Sequence, residues 1–379
     1  MQHEPISVLE GLGAAFQEEL PHTRAPYVSR SWGHPFHSLC SYQGKLKPSL
    51  AHWLVSRFTS QGDRVLDPLG GVGTVAFEAA LQGRTSFSCD LSPFASCVAS
   101  AKLAPPAADQ VDTELAAFIQ ELEGVELCEE DFRSAEFGLN ASVREYYHTE
   151  TLKEVLKAKR ILNAGQLSAP RNFIKACLLH ILHGNRPYAL SRTSHPITPF
   201  SPSGDFEYKP VADKLRSRLK RLGTAEWPQE FKPGASWNSD FRALPQHIAE
   251  PVDAIICSPP FPGMRFDRPN WIRMWFCGWE AEDFHVRSRH FLERQQGKSF
   301  NVYDQFFEVC HELLRPNGPT VLHVGGSKAY DMATRLIAIA QPYFRHRGTI
   351  SECVAHVEKH GIRDKGTTSS HLLLLFERI

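Results

Sequence analysis

Arg64-Val-Leu-Asp67-Pro68-Leu69-Gly70-Gly71-Val72-Gly73-Thr74 is the stretch that decides the fold. A short aliphatic run ends in an acid, passes through three glycines and enters an apolar segment, Thr74 to Leu81, with helical spacing. A second strand pattern follows, Thr85-Ser-Phe-Ser-Cys-Asp90. Strand, glycine turn, helix and strand make a βαβ unit, the building block of a parallel sheet flanked by helices. Glycines at such a turn let the backbone approach a ligand at the strand's carboxyl end and the helix's N-terminus. Asp90 follows Asp67 by 23 residues and closes the next strand, where a carboxylate can hold both hydroxyls of a ribose.

The ligand is narrowed by what the turn lacks. A phosphate-binding loop requires Gly-Lys-Ser/Thr, and Gly73-Thr74 carries no lysine. The G-x-G-x-x-G pattern of a dinucleotide site is missing as well. An acid inside the turn disfavours a pyrophosphate and suits a ligand with a positive ammonium and sulfonium. The expected cofactor is S-adenosylmethionine.

Downstream, Val252-Asp-Ala-Ile-Ile-Cys-Ser258-Pro259-Pro260-Phe261 runs a buried-type strand into a rigid turn. An exocyclic amine on a base is a poor nucleophile because its lone pair is delocalised into the ring. Acceptors on both N–H bonds draw the nitrogen toward tetrahedral geometry and free that pair. Proline suits a main-chain acceptor, since its fixed φ aims the carbonyl and it brings no competing N–H.

Asp67-Pro68-x-x-Gly71-x-Gly73-Thr74 together with Ser258-Pro-Pro-Phe261 resembles the motifs of the amino-group (N4-cytosine and N6-adenine) DNA methyltransferases, Ser-Pro-Pro-Phe type. The resemblance implies a Rossmann-like α/β sheet, with Asp67, Pro68, Leu69, Gly71, Gly73 and Thr74 around the methionine part of the cofactor. Asp90, with Leu91 beside it, would hold the ribose. Tyr42-Gln-Gly-Lys45 resembles the family's permuted motif that closes over the cofactor carboxylate. Asp240, with Phe241, is expected at the adenine; Asp131 is the competing acid, but it would leave over a hundred residues to cross before the next core strand.

By the same resemblance, Ser258 and the Pro259 carbonyl accept the two amine hydrogens. Pro260 stiffens the turn, and Phe261 stacks on the target base once it is flipped out of the duplex. Methyl transfer is then an in-line displacement that relies on positioning, with no metal or covalent nucleophile. A first-position serine leans to cytosine N4, where Asn or Asp leans to adenine N6. A cytosine-C5 enzyme needs a Pro-Cys nucleophile, and no Pro-Cys occurs. The other readings are N6-adenine methylation, an RNA guanine-N2 methyltransferase and an inactive nucleic-acid-binding protein that keeps the shell.

The chain of 379 residues has 42 Lys and Arg against 42 Asp and Glu, so any nucleic-acid surface must be local. Residues 105–136 hold ten acids and one base, whereas residues 144–221 hold fifteen Lys and Arg against six Asp and Glu. This basic, mainly helical module is expected to contact DNA, duplex in preference to single-stranded, through Arg186, Arg192, His195, Lys214, Arg216 and Arg218. The expected division is 1–104 for the N-terminal and cofactor-binding half, 105–235 for the inserted recognition module and 236–379 for the catalytic half.

His180 and His183 are spaced for one helix face, but no further ligand accompanies them, so no metal is expected. Nine scattered cysteines without Cys-x-x-Cys fit reduced thiols. Neither a leader pattern in Met1 to Leu20 nor a membrane-spanning run is evident, which points to a cytoplasmic protein. A restriction or defence partner is the natural companion of such an enzyme, although no embedded nuclease motif is evident.

Overall fold

The structure is a computed structural model describing residues 11, 13, 15–19, 24–29, 32–223, 225–327, 331–353 and 368–379. Most of Met1 to Leu20, and Lys365 to Thr367 ahead of the last strand, lie outside the described residues. In chain order the first half contains α1 (Pro48–Phe58), β1 (Arg64–Asp67), α2 (Thr74–Leu81), β2 (Thr85–Asp90) and α3 (Pro93–Leu103). Six helices follow: α4 (Ala108–Gly124), α5 (Glu129–Ser134), α6 (Val143–Tyr146), α7 (Thr149–Leu162), α8 (Ala169–Ile181) and α9 (Val211–Leu222). The sheet resumes with β3 (Ala235–Asn238) and β4 (Ala254–Cys257), then α10 (Trp271–Phe276), α11 (Leu292–Gln296) and α12 (Val302–Leu313). β5 (Pro319–Ser327), α13 (Met332–Ala340), β6 (Phe344–Cys353) and β7 (Thr368–Arg378) complete it.

The seven strands lie in the order β3-β2-β1-β4-β5-β7-β6. β1 to β5 pair in parallel, and β7 runs antiparallel between β5 and β6. This is a Rossmann-like open α/β sheet. The chain moves outward from β1 through β2 to β3, then returns to place β4 on the other side of β1. That reversal opens a crevice at the strands' carboxyl ends, where open α/β sheets bind ligands.

Apolar burial holds the two faces. On one side α1 and α2 contribute Leu54, Val55, Val75 and Ala79 to a cluster with Val65, Ile256 and Val321 of the sheet. On the other, Phe306, Phe307, Cys310 and Leu336 pack on Ile255, Leu322 and Leu374. The inserted helices join a third cluster that runs from Phe77 and Phe94 through Phe118, Val155 and Leu178 to Trp271 and Trp275. Trp271, Trp275 and Trp279 are core residues.

Candidate active site

The turn after β1 is shaped by close approach. Gly70 donates to the Cys89 carbonyl (2.9 Å), and a Cβ on it would fall 2.1 Å from Ser88 Oγ. Gly71 (φ 52°) donates to Asp90 Oδ2 at 2.9 Å and faces the Tyr42 ring, which a Cβ would meet at 3.4 Å. Asp90 also accepts from Ser92 N–H (2.8 Å), which starts α3 with Pro93 in its first turn.

Gly73 also has a packing task. It lies outside the cleft lining, at φ 70°, and a Cβ there would come within 2.8 Å of Ala99 Cβ on α3. Its bareness lets the start of α2 approach α3.

The crevice is a solvent-open cleft of roughly 980 Å³. It brings together Tyr42, Lys45, Asp67, Pro68, Leu69, Gly71, Thr74, Asp90, Leu91, Asp240, Phe241, Ser258 and Pro260 among the residues expected from sequence. Lys45 donates from Nζ to the His37 carbonyl (2.6 Å). Asp240 accepts from Arg242, ion-paired at 2.9 Å, and still borders the cleft with Phe241. The competing Asp131 pairs with Arg160 at 2.9 Å and is not in the lining.

Residues 266–293 supply one wall of the cleft. Phe266 stacks parallel on Tyr42, with ring centroids 5.7 Å apart. Met274 accepts from Ser92 Oγ (3.2 Å), and Glu293 Oε1 accepts from Phe266 N–H (3.3 Å). Both line the cleft, and no local motif announces Glu293.

The cleft is acidic, and burial weakens its acids. Asp67 is pushed up to about 7 by burial, offset in part by hydrogen bonds with the Cys257 thiol and Leu69 N–H. Burial likewise pushes Glu293 up to about 7 and Asp90 up to about 6, the latter against its N–H bonds from Ser92 and Gly71. Three half-neutral carboxyls around one cleft are poised to ionise when a cation enters. This donor set fits the ammonium and sulfonium of S-adenosylmethionine.

Ser258 leaves β4 at the cleft's rim. Its Oγ lies 3.1 Å from His323 Nδ1 and 3.2 Å from the His323 carbonyl oxygen. With Nδ1 bare, the ring accepts the hydroxyl proton. With Nδ1 protonated, the ring donates to Oγ and the carbonyl takes the hydroxyl proton. Either tautomer leaves Oγ an acceptor toward other groups. Gln296 Nε2 donates to the Pro260 carbonyl (2.9 Å) and Gln296 Oε1 accepts from the Tyr303 hydroxyl (2.9 Å), both residues being buried. Pro259 and Phe261 lie outside the cleft lining. Phe261 packs over Gly325, where a Cβ would be 2.6 Å from its ring, and against His323 and His371.

Of the cations expected at nucleic acid, Arg218 is a correction. It is 5% exposed and donates from Nη2 to the Ser38 (2.6 Å) and Leu39 (3.0 Å) carbonyls, so its guanidinium ties α9 to the loop before α1. The helical period could have shown this, because Val211, Leu215, Arg218 and Leu222 share one buried stripe. Arg192 fastens its own loop, donating to the Gly204 (2.8 Å) and Glu145 (3.1 Å) carbonyls and covering the Phe206 ring. His195 accepts from Thr198 N–H (3.1 Å), and Arg186 is half-buried with Nη1 enclosed. Arg216 is exposed beside Asp213, and Lys214 donates to the Pro187 carbonyl at 2.9 Å.

Residues 37–153 match the UPF0020 family, described as RMKL-like, methyltransferase domain. The match spans Tyr42, Lys45, the glycine turn and Asp90. Over this segment the chain is similar to a methyltransferase domain. The type II methyltransferase M.MjaII of Methanocaldococcus jannaschii is 34% identical over 67 residues, 18% of this chain and only 13% of that protein. Among solved structures, TrmN from Thermus thermophilus aligns with 89% of this chain and 50% of its own, at 15% identity and TM-score 0.35. The rRNA methyltransferase aviRa from Streptomyces viridochromogenes aligns with 90% of this chain and 88% of its own, at 12% identity and TM-score 0.33. Among the described residues, no helix is long and apolar enough to cross a membrane.

Proposed function

We propose that this methyltransferase modifies the exocyclic amino group of a nucleic-acid base, with cytosine N4 in DNA as its target. The observation that carries this reading is Ser258, at the rim of the acidic cleft, with His323 Nδ1 and carbonyl oxygen both within hydrogen-bond reach of its hydroxyl. The hydroxyl proton is drawn to His323, so Oγ can accept one amine N–H. Gln296 occupies the Pro260 carbonyl, which leaves that of Pro259 for the second. Two acceptors on one amine raise its nucleophilicity, a demand that an oxygen or carbon target does not make.

Bound S-adenosylmethionine supplies an electrophilic methyl on its sulfonium. Asp67 and Glu293 offer carboxylates to its positive groups, Asp90 holds ribose hydroxyls, and Tyr42 with Phe266 forms an aromatic wall of the cleft. Lys214 and Arg216 on α9 offer phosphate contacts, while Arg186, Arg192 and His195 shape the loop beside them.

Incubation with labelled S-adenosylmethionine and duplex DNA, single-stranded DNA or tRNA tests this, followed by nucleoside mass identification. N4-methylcytosine from duplex DNA is expected. N6-methyladenine would move the base, and label in tRNA alone would overturn the DNA assignment. Ser258→Ala should lower turnover about 10²-fold or more while cofactor affinity holds; loss of cofactor binding would refute the role given to Ser258.

A further inference from the structure

The antiparallel pairing of β5, β7 and β6 assembles a line of polar side chains that the cofactor cleft does not use. His323 is opposite Leu373, and Gly325 is opposite His371, so His323 and His371 stand on one face of the sheet, one diagonal apart. Their rings meet edge to face with centroids 4.9 Å apart. His371 is in turn opposite Glu352 of β6, and its Nδ1 lies 3.8 Å from Glu352 Oε2, a carboxylate that is itself buried. Phe261 covers both imidazoles, 5.7 Å from one and 6.0 Å from the other. The line starts at Ser258 Oγ, 3.1 Å from His323 Nδ1.

We propose that His323 takes, through the Ser258 hydroxyl, the proton that the target amine loses on methylation. This rests on the amino-group reading above. A methylated exocyclic nitrogen carries one proton too many and a positive charge. Its N–H bond breaks toward Ser258 Oγ and leaves the electron pair on nitrogen, restoring the neutral amine. As that O–H bond forms, the existing Oγ–H passes to Nδ1 of His323. Ser258 ends unchanged and His323 ends as an imidazolium. The charge then lies beside His371 and the Glu352 carboxylate, and the proton leaves to water. His323 acts through Ser258 and is a positioning residue in this scheme.

Among the described residues, the titratable groups facing His323 are His371 from β7 and, one strand further, Glu352 from β6. The turn carrying Ser258 brings the Phe261 ring against it.

The test uses the full chain, labelled S-adenosylmethionine and duplex DNA, in single turnovers at saturating concentrations of both. His323→Asn keeps an acceptor for the Ser258 hydroxyl but cannot take its proton. Wild type should give a rate that rises with pH and then levels off, as a group that must be unprotonated to take the proton requires. His323→Asn should be about 10²-fold slower near neutrality and lack that plateau, with cofactor affinity unchanged. A variant within threefold of wild type, plateau intact, overturns the proposal and leaves the amino-group reading standing.

If the variant loses cofactor binding, ¹⁵N spectra of histidine-labelled wild type decide, with His323 assigned by its shift in Ser258→Ala. Nδ1 unprotonated at pH 8 is expected, and a ring holding its proton on Nδ1 overturns the transfer. If wild type yields no N-methylated nucleoside from DNA or RNA, the amino-group reading falls, and the proton transfer falls with it.

Discussion

Cofactor affinity should collapse on mild acidification, and the size of the effect follows from three buried carboxyls. Asp67 and Glu293 sit at about 7 and Asp90 at about 6, each raised by burial. A cation holds its site against the ionised forms, so below pH 7 binding must expel protons. For one group at about 7, lowering the pH from about 7.5 to about 5.5 weakens binding roughly 25-fold. Two such groups acting independently would give several hundredfold. The cofactor's own α-amino group, near 8 when free, stays an ammonium over this range and contributes little. Isothermal titration in buffers of different ionisation heat would read both the affinity and the proton count, with one to two protons released near pH 6. Asp67→Asn should remove one group's share of the slope.

The unliganded protein should show the opposite trend in stability. A carboxyl raised on folding contributes stability that is complete below about 4 and lost as pH rises through about 7. Thermal stabilisation by cofactor should therefore be larger at pH 8 than at pH 5.5. A dissociation constant that stays flat between those values would refute the cationic pairing assigned to these acids.

Gly73→Ala should cost about 2 to 3 kcal/mol in denaturant unfolding, from the positive φ and the 2.8 Å approach to Ala99; an unchanged midpoint would disprove the helix contact. Gln296→Ala should lower the methyl-transfer rate about tenfold with cofactor affinity intact, because the Pro260 carbonyl loses its tether. Lys214→Glu with Arg216→Glu should weaken DNA binding and flatten its salt dependence by about two phosphate contacts. Unaltered binding in that double variant would turn α9 away from the nucleic acid.

What the sequence made legible was local. The β1 turn, β2 and β4 announce themselves because each is a short apolar run ended by Gly, Asp or Pro. Val211–Leu222 shows its helix through a stripe of period 3.6. α3 hides, since Phe94 to Leu103 is buried almost all round and leaves no polar face to contrast with. β6 hides for the converse reason. It is an edge strand whose buried residues, Phe344, Ile350 and Glu352, form no apolar alternation, and the rest of it carries charge outward. Glu293 and His323 cannot be read from any neighbourhood in sequence, because their partners stand 27 and 65 residues away.

That difference divides the site into two halves of different origin. The turn of the cleft is built within one βαβ unit, where Gly71 reaches Asp90 across 19 residues, and Tyr42, Phe266 and Glu293 add its walls from outside that unit. The Ser258 half exists only after the sheet closes. Ser258 acquires its polarity from β5, its turn is held by α11 through Gln296, and Gln296 is held in turn by α12 through Tyr303. Damage to the C-terminal strands should therefore spare cofactor recognition longer than it spares chemistry, because the Ser258 turn leans directly on β5 while the β1 turn leans on β2 and β4. The glycine turn reports what the protein binds, while the serine turn requires its distant partners before its own residues acquire meaning.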